Sequence, residues 1–401
     1  MKEGWTYEKL GEVCDTINGL WKGKKPPFVN VGVIRNANFT KDFTLRFDNI
    51  EYLDVEERQY SKRKLQKGDL IVEKSGGSEK QPVGRAVLFD RENGEFSFSN
   101  FTSVLRIKDK NTLLSEFLYK YLLFIYKRGD TSTMQKATTG IHNIEFEKYL
   151  NIDVPCIPLS EQRSIVTRLD AAFSHIDALK ANAEKQLNEA RKLFQAELTE
   201  CLKPKEGWEE KTLKEVGTTQ TGTTPSKSDA SNYGEYMPFI RPAELNFDGI
   251  GGINYESEIK LSEKGVERSR LIKANSILMC CIGSVGKMGF STEEVTCNQQ
   301  INTITPNSNY SPKFVYYAML DNQFLDDVIK EAKSAQATLP IISKGKWEKH
   351  KICVPNLSSQ QAIVAHLDSL SSNIRKLEEL QQKTIAECDA LKQAMLREVF
   401  E

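Results

Sequence analysis

The sequence predicts an α+β protein in which one domain plan occurs twice. Two duplicated mixed α/β domains are joined by two long α-helices that form an antiparallel coiled coil, with approximate twofold symmetry. Two observations lead to this fold. The chain contains a long internal repeat, and each copy ends in a stretch with apolar residues at alternating spacings of three and four.

The repeat is visible at both ends of each copy. Lys2-Glu3-Gly4-Trp5 returns as Lys205-Glu206-Gly207-Trp208, and the pattern of residues 159–170 returns in 357–368. Each copy covers about 200 residues, far more than the 20–50 residues of a solenoid or propeller repeat. A duplicated domain pair with two equivalent sites is therefore predicted.

Each copy divides into a globular segment and a helix. We predict globular domains over 1–158 and 204–357, a central helix over 159–203 and a distal helix over 358–401. Each helix, about 40 residues long, would extend roughly 60 Å. A stripe with this period favours a coiled coil, although each stripe could instead dock on its own globular domain. The residues expected at the coiled-coil or subunit interface are Ile165, Leu169, Ile176, Leu179, Leu187, Ile363, Leu367, Ile374, Leu377 and Ile385.

The globular segments combine short strands with short helices. Apolar runs at 70–72, 85–89 and 103–107 predict strands in the first copy, and 277–282 predicts the counterpart in the second. Residues 116–123 and 314–320 predict one short helix in each copy. The loops between these elements differ in length and sequence between the copies, as expected of one scaffold that binds two different ligands.

Composition limits the classes of function. The chain has 55 Lys and Arg residues against 55 Asp and Glu, which argues against a uniformly basic nucleic-acid-binding surface but allows local basic clusters. Eight cysteines without C-x-x-C spacing indicate reduced thiols. No apolar run reaches the roughly 18–20 residues of a membrane span, and the N-terminus lacks a signal-peptide core. We therefore expect a cytoplasmic protein that does not bind membranes.

Motifs for catalysis are incomplete. The turn Gly283–Met288 resembles a phosphate-binding loop, but Met288 stands where that loop needs Ser or Thr. Lys25 precedes Pro-Pro-Phe where an amino-methyltransferase needs Asn or Asp. Asp248 with Glu258 and Lys260 loosely fits a metal-nuclease pattern without an equivalent in the first copy. None of the four histidines lies at zinc-ligand spacing, so neither a catalytic nor a metal site is predicted.

The loops instead carry side chains suited to nucleic acid. Basic and aromatic residues favour contacts to phosphates and bases, while Arg, Asn and Gln can form paired hydrogen bonds to base edges. Similar residues occur at matching places in both copies. The candidate DNA-binding residues are Trp21, Lys22, Lys24, Lys25, Arg35, Asn36, Lys74, Ser75, Arg85, Asn100, Thr223, Lys227, Arg241, Ser284, Lys287, Asn298 and Gln299.

With these motifs the whole chain resembles the specificity subunits of type I restriction–modification systems. The resemblance rests on the two K-E-G-W-x(4)-L-x-E-V segments and on the two V-P-x-L-S-x-Q starts of the long helices, the first of which has two extra residues. It also rests on Ser75-Gly76-Gly77 followed by 82–85, on the turn 283–287, and on Asn298-Gln299-Gln300. The combination with the duplication is specific, although each motif alone is not.

The resemblance implies a non-catalytic DNA-recognition subunit. Each globular segment would be a target recognition domain for one half of a split double-stranded DNA sequence, and the helices would set the unread spacer. Half-sites one turn apart are roughly 34 Å from each other, which such helices can span. Two modification subunits would dock on the helices and flip an adenine. Restriction subunits would add translocation and cleavage. S-adenosylmethionine, ATP and Mg would be bound by these partners, and this chain would bind no cofactor.

Three alternatives remain open at this point. The chain could serve a related system in which methylation and cleavage share one subunit. It could be a coiled-coil adaptor whose globular ends bind proteins. It could also be a nuclease that acts through Asp248, Glu258 and Lys260.

Overall fold

The protein forms two structural units in a computed structural model. The structure describes residues 2–20, 23, 25–79, 81–138, 141–246, 251–335 and 339–401. Unit 1 comprises Met1–Ala181 together with Ile385–Glu401, and unit 2 comprises Asn182–Thr384. Each unit therefore combines a globular segment with part of each long helix.

Unit 1 contains short strands and helices from the first copy. Its strands are β1 (Thr6–Lys9), β2 (Cys14–Asn18), β3 (Phe28–Ile34), β4 (Glu51–Glu56), β5 (Leu70–Glu73), β6 (Ser75–Gly77), β7 (Ala86–Leu88), β8 (Phe96–Phe98), β9 (Thr102–Ile107), β10 (Gln135–Thr138), β11 (Ile141–Ile144) and β12 (Asp153–Cys156). Its helices are α1 (Leu10–Val13), α2 (Glu57–Ser61), α3 (Ser115–Arg128) and α4 (Phe146–Leu150), and the long helix α5 (Leu159–Leu202) begins in it.

Unit 2 repeats much of this order. Its strands are β13 (Glu209–Thr212), β14 (Gly217–Thr221), β15 (Tyr233–Ile240), β16 (Lys260–Leu261), β17 (Leu271–Ile272), β18 (Ile277–Cys280), β19 (Met288–Phe290), β20 (Val295–Cys297), β21 (Ile301–Pro306) and β22 (Lys351–Val354). Its helices are α6 (Leu213–Val216), α7 (Glu263–Glu267), α8 (Pro312–Leu320), α9 (Asn322–Ala335) and α10 (Lys344–Trp347), and the long helix α11 (Leu357–Phe400) begins in it.

Two sheets occur in both units with the same connectivity, and a third occurs in both but has an additional strand, β17, in unit 2. The pair β1-β12 corresponds to β13-β22, and the four-stranded sheet β2-β9-β5-β7 corresponds to β14-β21-β18-β19. In the third sheet β3 pairs in parallel with β8, as β15 does with β20. The predicted α+β class and the duplication are therefore confirmed, as are strands at 70–73, 102–107 and 277–280.

The two long helices are present, and within each unit their segments run antiparallel. In unit 1 the ammonium of Lys180 lies 3.3 Å from a carboxylate oxygen of Asp389, and Lys392 pairs with Asp177 further from the unit boundary. In unit 2 Arg191 donates to Glu378 at 2.7 Å. A polar position of the stripe, Gln381, is buried and donates to the side chain of Gln186 at 2.9 Å.

The prediction that Leu179 belongs to the interface between the two helices is wrong for contacts within the chain. Leu179 is 58% exposed, whereas Lys180 occupies the inward position between the buried Ile176 and Ala183. Phe173 is likewise buried at the preceding step. From Ile176 the inward positions follow at Lys180 and Ala183, steps of four and then three residues, where the apolar pattern predicted steps of three and then four. Because the inward position is a lysine, the pattern of apolar residues does not predict it.

The repeated glutamine at the start of each long helix has a structural role. Gln162 is fully buried; its side chain accepts from the Leu114 N–H at 2.9 Å and donates to the Thr112 carbonyl at 2.8 Å. Gln360 accepts from the Ser311 N–H at 2.8 Å in the same way. Each glutamine thus fastens its long helix to the loop before α3 or α8.

The end of α11 completes the core of unit 1. Phe400 is buried, and its ring packs against Phe117, Tyr121 and Phe124 of α3 at centroid distances of 5.3–5.7 Å. Trp5 contacts the same ring edge-on. Aromatic contacts of this kind add to the free energy gained by burying the ring. The last turn of helix α11 therefore packs into the core of the first globular segment.

Within the described ranges, the helices include none that is both long enough and apolar enough to cross a membrane.

Replacement of Gln360 by Met should lower the free energy of unfolding by about 2–4 kcal/mol, because the N–H of Ser311 and the carbonyl of Pro355 lose their buried partner. The neighbouring Gln361 is exposed, so Gln361→Met should change it by less than about 0.5 kcal/mol. Urea denaturation of both variants measures the difference. Equal losses would show that the buried amide does not anchor the helix.

Candidate nucleic-acid interface

In unit 1 the loops that carry candidate residues meet at the end of β3. The Ser99 N–H donates to the Ile34 carbonyl at 2.9 Å, and the Leu20 N–H donates to the Phe98 carbonyl at 2.8 Å. The Asn36 amide donates to the Ser75 carbonyl at 2.6 Å. The loops that follow β2 and β3 are thereby joined to the end of β8 and the turn after it, and the loop after β3 is also joined to the first residue of β6.

Unit 2 assembles the same loops at the end of β15. The Asn298 N–H donates to the Ile240 carbonyl at 3.1 Å, and the Thr223 N–H donates to the Cys297 carbonyl at 2.9 Å. The Lys287 ammonium lies 3.3 Å from the Pro242 carbonyl oxygen. The structure therefore brings together, in each unit, the loops that sequence comparison placed at matching positions.

Two glycines per unit allow this convergence. A Cβ atom at Gly19 would lie 1.9 Å from the Ser99 carbonyl oxygen, and one at Gly222 would lie 2.2 Å from that of Asn298. Gly84 and Gly286 have φ of +98° and +97°, a conformation that glycine adopts without steric cost. Both copies of the repeat have a glycine where two loops touch and another in the turn that precedes Arg85 or Lys287.

The candidate arginines are held by carboxylates. Arg85 forms a two-pronged pair with Glu73, at 2.7 and 3.0 Å, and the two side chains are only 11% and 4% exposed. Arg241 donates to Glu244 at 2.6 Å, and this hydrogen bond raises the pKa of its guanidinium. Arg35 pairs with Glu51 at the surface. Arg85 is thus a buried structural residue in this state, while Arg35 and Arg241 remain partly accessible.

The candidate amides mainly brace loops. Asn298 is buried; its amide donates to the Gln300 side chain at 2.9 Å, and its oxygen accepts from the Gln300 N–H at 3.1 Å. The exposed Gln299 accepts from Thr224. Asn100 is partly buried at the equivalent turn of unit 1. Of these three residues, only Gln299 presents an exposed side chain.

Several cations stay available at these loops. Lys25 and Lys227 are exposed, Lys287 is partly exposed, and Ser284 in the same turn as Lys287 is exposed. Lys74 lies 3.3 Å from the Asn18 side-chain oxygen, and burial lowers the pKa of its ammonium. Trp21, Lys22 and Lys24 lie outside the described residues, so their predicted role stays a prediction.

The metal-nuclease pattern is not assembled by the described residues. Lys260 pairs with Glu235 at 3.0 Å, and Glu258 is 90% exposed on its side chain, 3.9 Å from Arg241. Asp248 lies outside the described residues.

Sequence reasoning missed the amide and carboxylate side chains that position the arginines. Asn38 and Glu244 each stand three residues after an arginine and accept from that arginine's N–H, both at 2.9 Å. The shared spacing R-x-A-[N/E] was the available signal. No spacing marks Glu73, because its partner Arg85 lies across a loop.

Comparison with known proteins gives a consistent result. The model of the type I restriction modification DNA specificity domain matches residues 2–189 and 205–386. The EcoR124I/EcoR124II specificity subunit of Escherichia coli is 27% identical over 312 residues, which cover 72% of this chain and 74% of that one. The StySPI specificity subunit of Salmonella potsdam is 22% identical over 100% of this chain and 89% of that one.

The fold has a solved counterpart. A structure from work on complex assembly and conformational transition of the type I R-M system superposes with a TM-score of 0.74 at 19% identity. The match covers 100% of this chain and 98% of that one.

Replacement of Arg85 by Met should destabilise unit 1 by about 3–5 kcal/mol, because Glu73 would remain as an unpaired buried charge. The pair Arg46–Asp48 is exposed and its atoms are 4.0 Å apart, so Arg46→Met should cost less than about 1 kcal/mol. Chemical denaturation compares the two. If Arg85→Met were as mild as the control, the pair would not hold the loop.

Proposed function

The chain belongs to the family of type I restriction–modification DNA specificity subunits, and we propose that each of its units recognises one half of a bipartite DNA target through the loops described above. The observation that carries the proposal is the loop arrangement. Both units place equivalent loops at the end of an equivalent strand, β3 or β15, yet with different side chains. One frame with two loop sets is what recognition of two different half-sites requires.

The charged side chains of these loops suit two different kinds of contact with DNA, to phosphates and to bases. Lysines at the surface, such as Lys25, Lys227 and Lys287, suit contacts to phosphate, which position a protein on DNA. Arg35 and Arg241 would have to exchange their carboxylate partners for base edges. Arg241, whose guanidinium donates two hydrogen bonds to the Glu244 carboxylate, already presents the paired donors that guanine accepts.

The long helices are proposed to set the spacer and to bind partner subunits. Leu179 and Leu391 of unit 1 are 58% and 51% exposed, and Leu193 and Leu380 of unit 2 are 62% and 58% exposed. These four leucines are large apolar side chains on otherwise polar helix surfaces, where a partner subunit can cover them. We assign them to two modification subunits, one per unit.

Catalysis is assigned to the partners. S-adenosylmethionine, ATP and Mg would be bound by modification and restriction subunits, and this chain would act in the cytoplasm as a recognition subunit without a reaction centre. A partner that fuses methylation and cleavage in one chain would use the same recognition surface; the neighbouring genes distinguish the two.

The test is a map of adenine methylation in a methylation-free host that expresses this chain with its modification subunit. We expect a split motif with a fixed gap that disappears when the chain is omitted. A second test replaces residues 1–158 by the corresponding domain of another family member, while the aromatic residues that contact Phe400 are retained. This exchange should change only one half of the motif. Exchange of 204–357 should change the other half. A change in both halves from one exchange would contradict independent recognition.

Replacement of Lys287 by Met should weaken binding to target and non-target DNA alike and reduce the slope of log affinity against log salt by about one. The exposed Lys349 lies outside the loops, so Lys349→Met should leave the slope unchanged. Fluorescence anisotropy over a range of salt concentrations measures both. A loss confined to the target sequence would show that Lys287 contacts bases.

A further inference from the structure

The end of α5 in unit 2 brings together three side chains that can bind a transition metal. Glu197 and Cys201 are one helical turn apart on α5, and His366 faces them from α11. The His366 Nε2 atom lies 2.9 Å from Glu197 Oε1, and the Cys201 Sγ atom lies 3.7 Å from the same oxygen. All three ligand atoms lie within 4.8 Å of one another.

We propose that Glu197, Cys201 and His366 form a Zn²⁺ site that joins α5 to α11 in unit 2. A tetrahedral zinc ion takes thiolate, imidazole and carboxylate ligands at about 2.0–2.3 Å, which requires the ligand atoms to be spaced much as they are here. A thiolate and a carboxylate together balance the charge of the ion. Water would complete the coordination, since His366 is exposed and the other two side chains are partly buried.

The combination of thiol, imidazole and carboxylate ligands indicates which metal ions the site can bind. Magnesium and calcium prefer oxygen ligands alone, whereas sulfur together with imidazole suits zinc and the other late transition metals. Burial raises the pKa of the Cys201 thiol, and the neighbouring Glu197 raises it further. On binding, the thiol would lose its proton to solvent, and His366 would coordinate through Nε2 while its other nitrogen keeps a proton.

The position also favours a cation. Cys201 lies in the last turn of α5, which has no basic residue, and the unpaired carbonyls at a helix C-terminus attract positive charge. In unit 1 the corresponding end of α11 is occupied by the ammonium of Lys2, which donates to the Val399 carbonyl at 2.8 Å. Its counterpart Lys205 is exposed and, within the described residues, makes no hydrogen bond to the end of α5, but its charge lies near enough to lower the pKa of the Cys201 thiol.

The repeat supplies an internal control. The residues of unit 1 that correspond to Glu197, Cys201 and His366 are Met395, Val399 and Arg168. Arginine cannot bind a metal and valine has no ligand atom, so the proposed site belongs to unit 2 alone. The linear sequence concealed it because His366 lies far along the chain from the other two ligands.

The competing interpretation is a surface His–Glu ion pair beside an unrelated thiol. Titration of the metal-free full-length protein with CoCl₂, followed by displacement with ZnCl₂, distinguishes the two. We expect one Co²⁺ per chain with a thiolate charge-transfer band in the near ultraviolet, which Zn²⁺ abolishes. ZnCl₂ should also raise the melting temperature of unit 2 by several degrees, and EDTA should reverse this rise.

Two variants assign the ligands. Cys201→Ser should abolish the band, and His366→Gln should weaken Co²⁺ binding at least tenfold, although Gln can still donate a hydrogen bond to Glu197. His175→Gln, at an exposed histidine of α5 in unit 1, and Cys353→Ser are matched controls and should bind Co²⁺ as the parent does. Absence of the band in the parent protein, or unchanged affinity in His366→Gln, would overturn the proposal. Neither result bears on DNA recognition.

Discussion

The structure depends on the burial of one apolar side along each of two 44-residue helices. An amphipathic helix of this length is not stable when it is isolated in water, because most of its stability comes from packing of its apolar side. The globular segments are attached to this arrangement at fixed points. Gln162 and Gln360 fasten the start of each helix to a loop, and the helix ends carry Phe194, Leu198, Leu396 and Phe400 into the cores of the two units. Loop variation therefore leaves the frame unchanged.

The fold was largely predictable because repetition and periodicity do not depend on tertiary contacts. The helix positions and the main strands follow from the spacing of apolar residues. The inward position of Lys180 did not, since its ion pairs with Asp389 and Asp42 exist only after the chain folds. The same holds for the buried Gln381, whose partner Gln186 is distant in sequence.

The candidate interface was predictable as a set of loops but not as a set of free side chains. Residue type alone identifies Arg85 and Asn298 as possible ligands for bases, yet Glu73 and Gln300 engage them within the protein. Buried polar groups require such partners, and sequence does not reveal which partner is used. The accessible lysines and Gln299 are thus better candidates for contact with DNA, whereas Arg85 and Asn298 shape the loops that carry them.

The aromatic contacts of Phe400 have a consequence for biosynthesis. Unit 2 is continuous in sequence, Asn182–Thr384, whereas unit 1 also needs Ile385–Glu401. A ribosome releases the first globular segment early, but the surface formed by Phe117, Tyr121 and Phe124 stays open until the last turn of α11 has been synthesised. The second half of the chain can therefore complete its core before the first half does. Nascent chains that stop before Phe400 would expose this aromatic surface to chaperones and proteases.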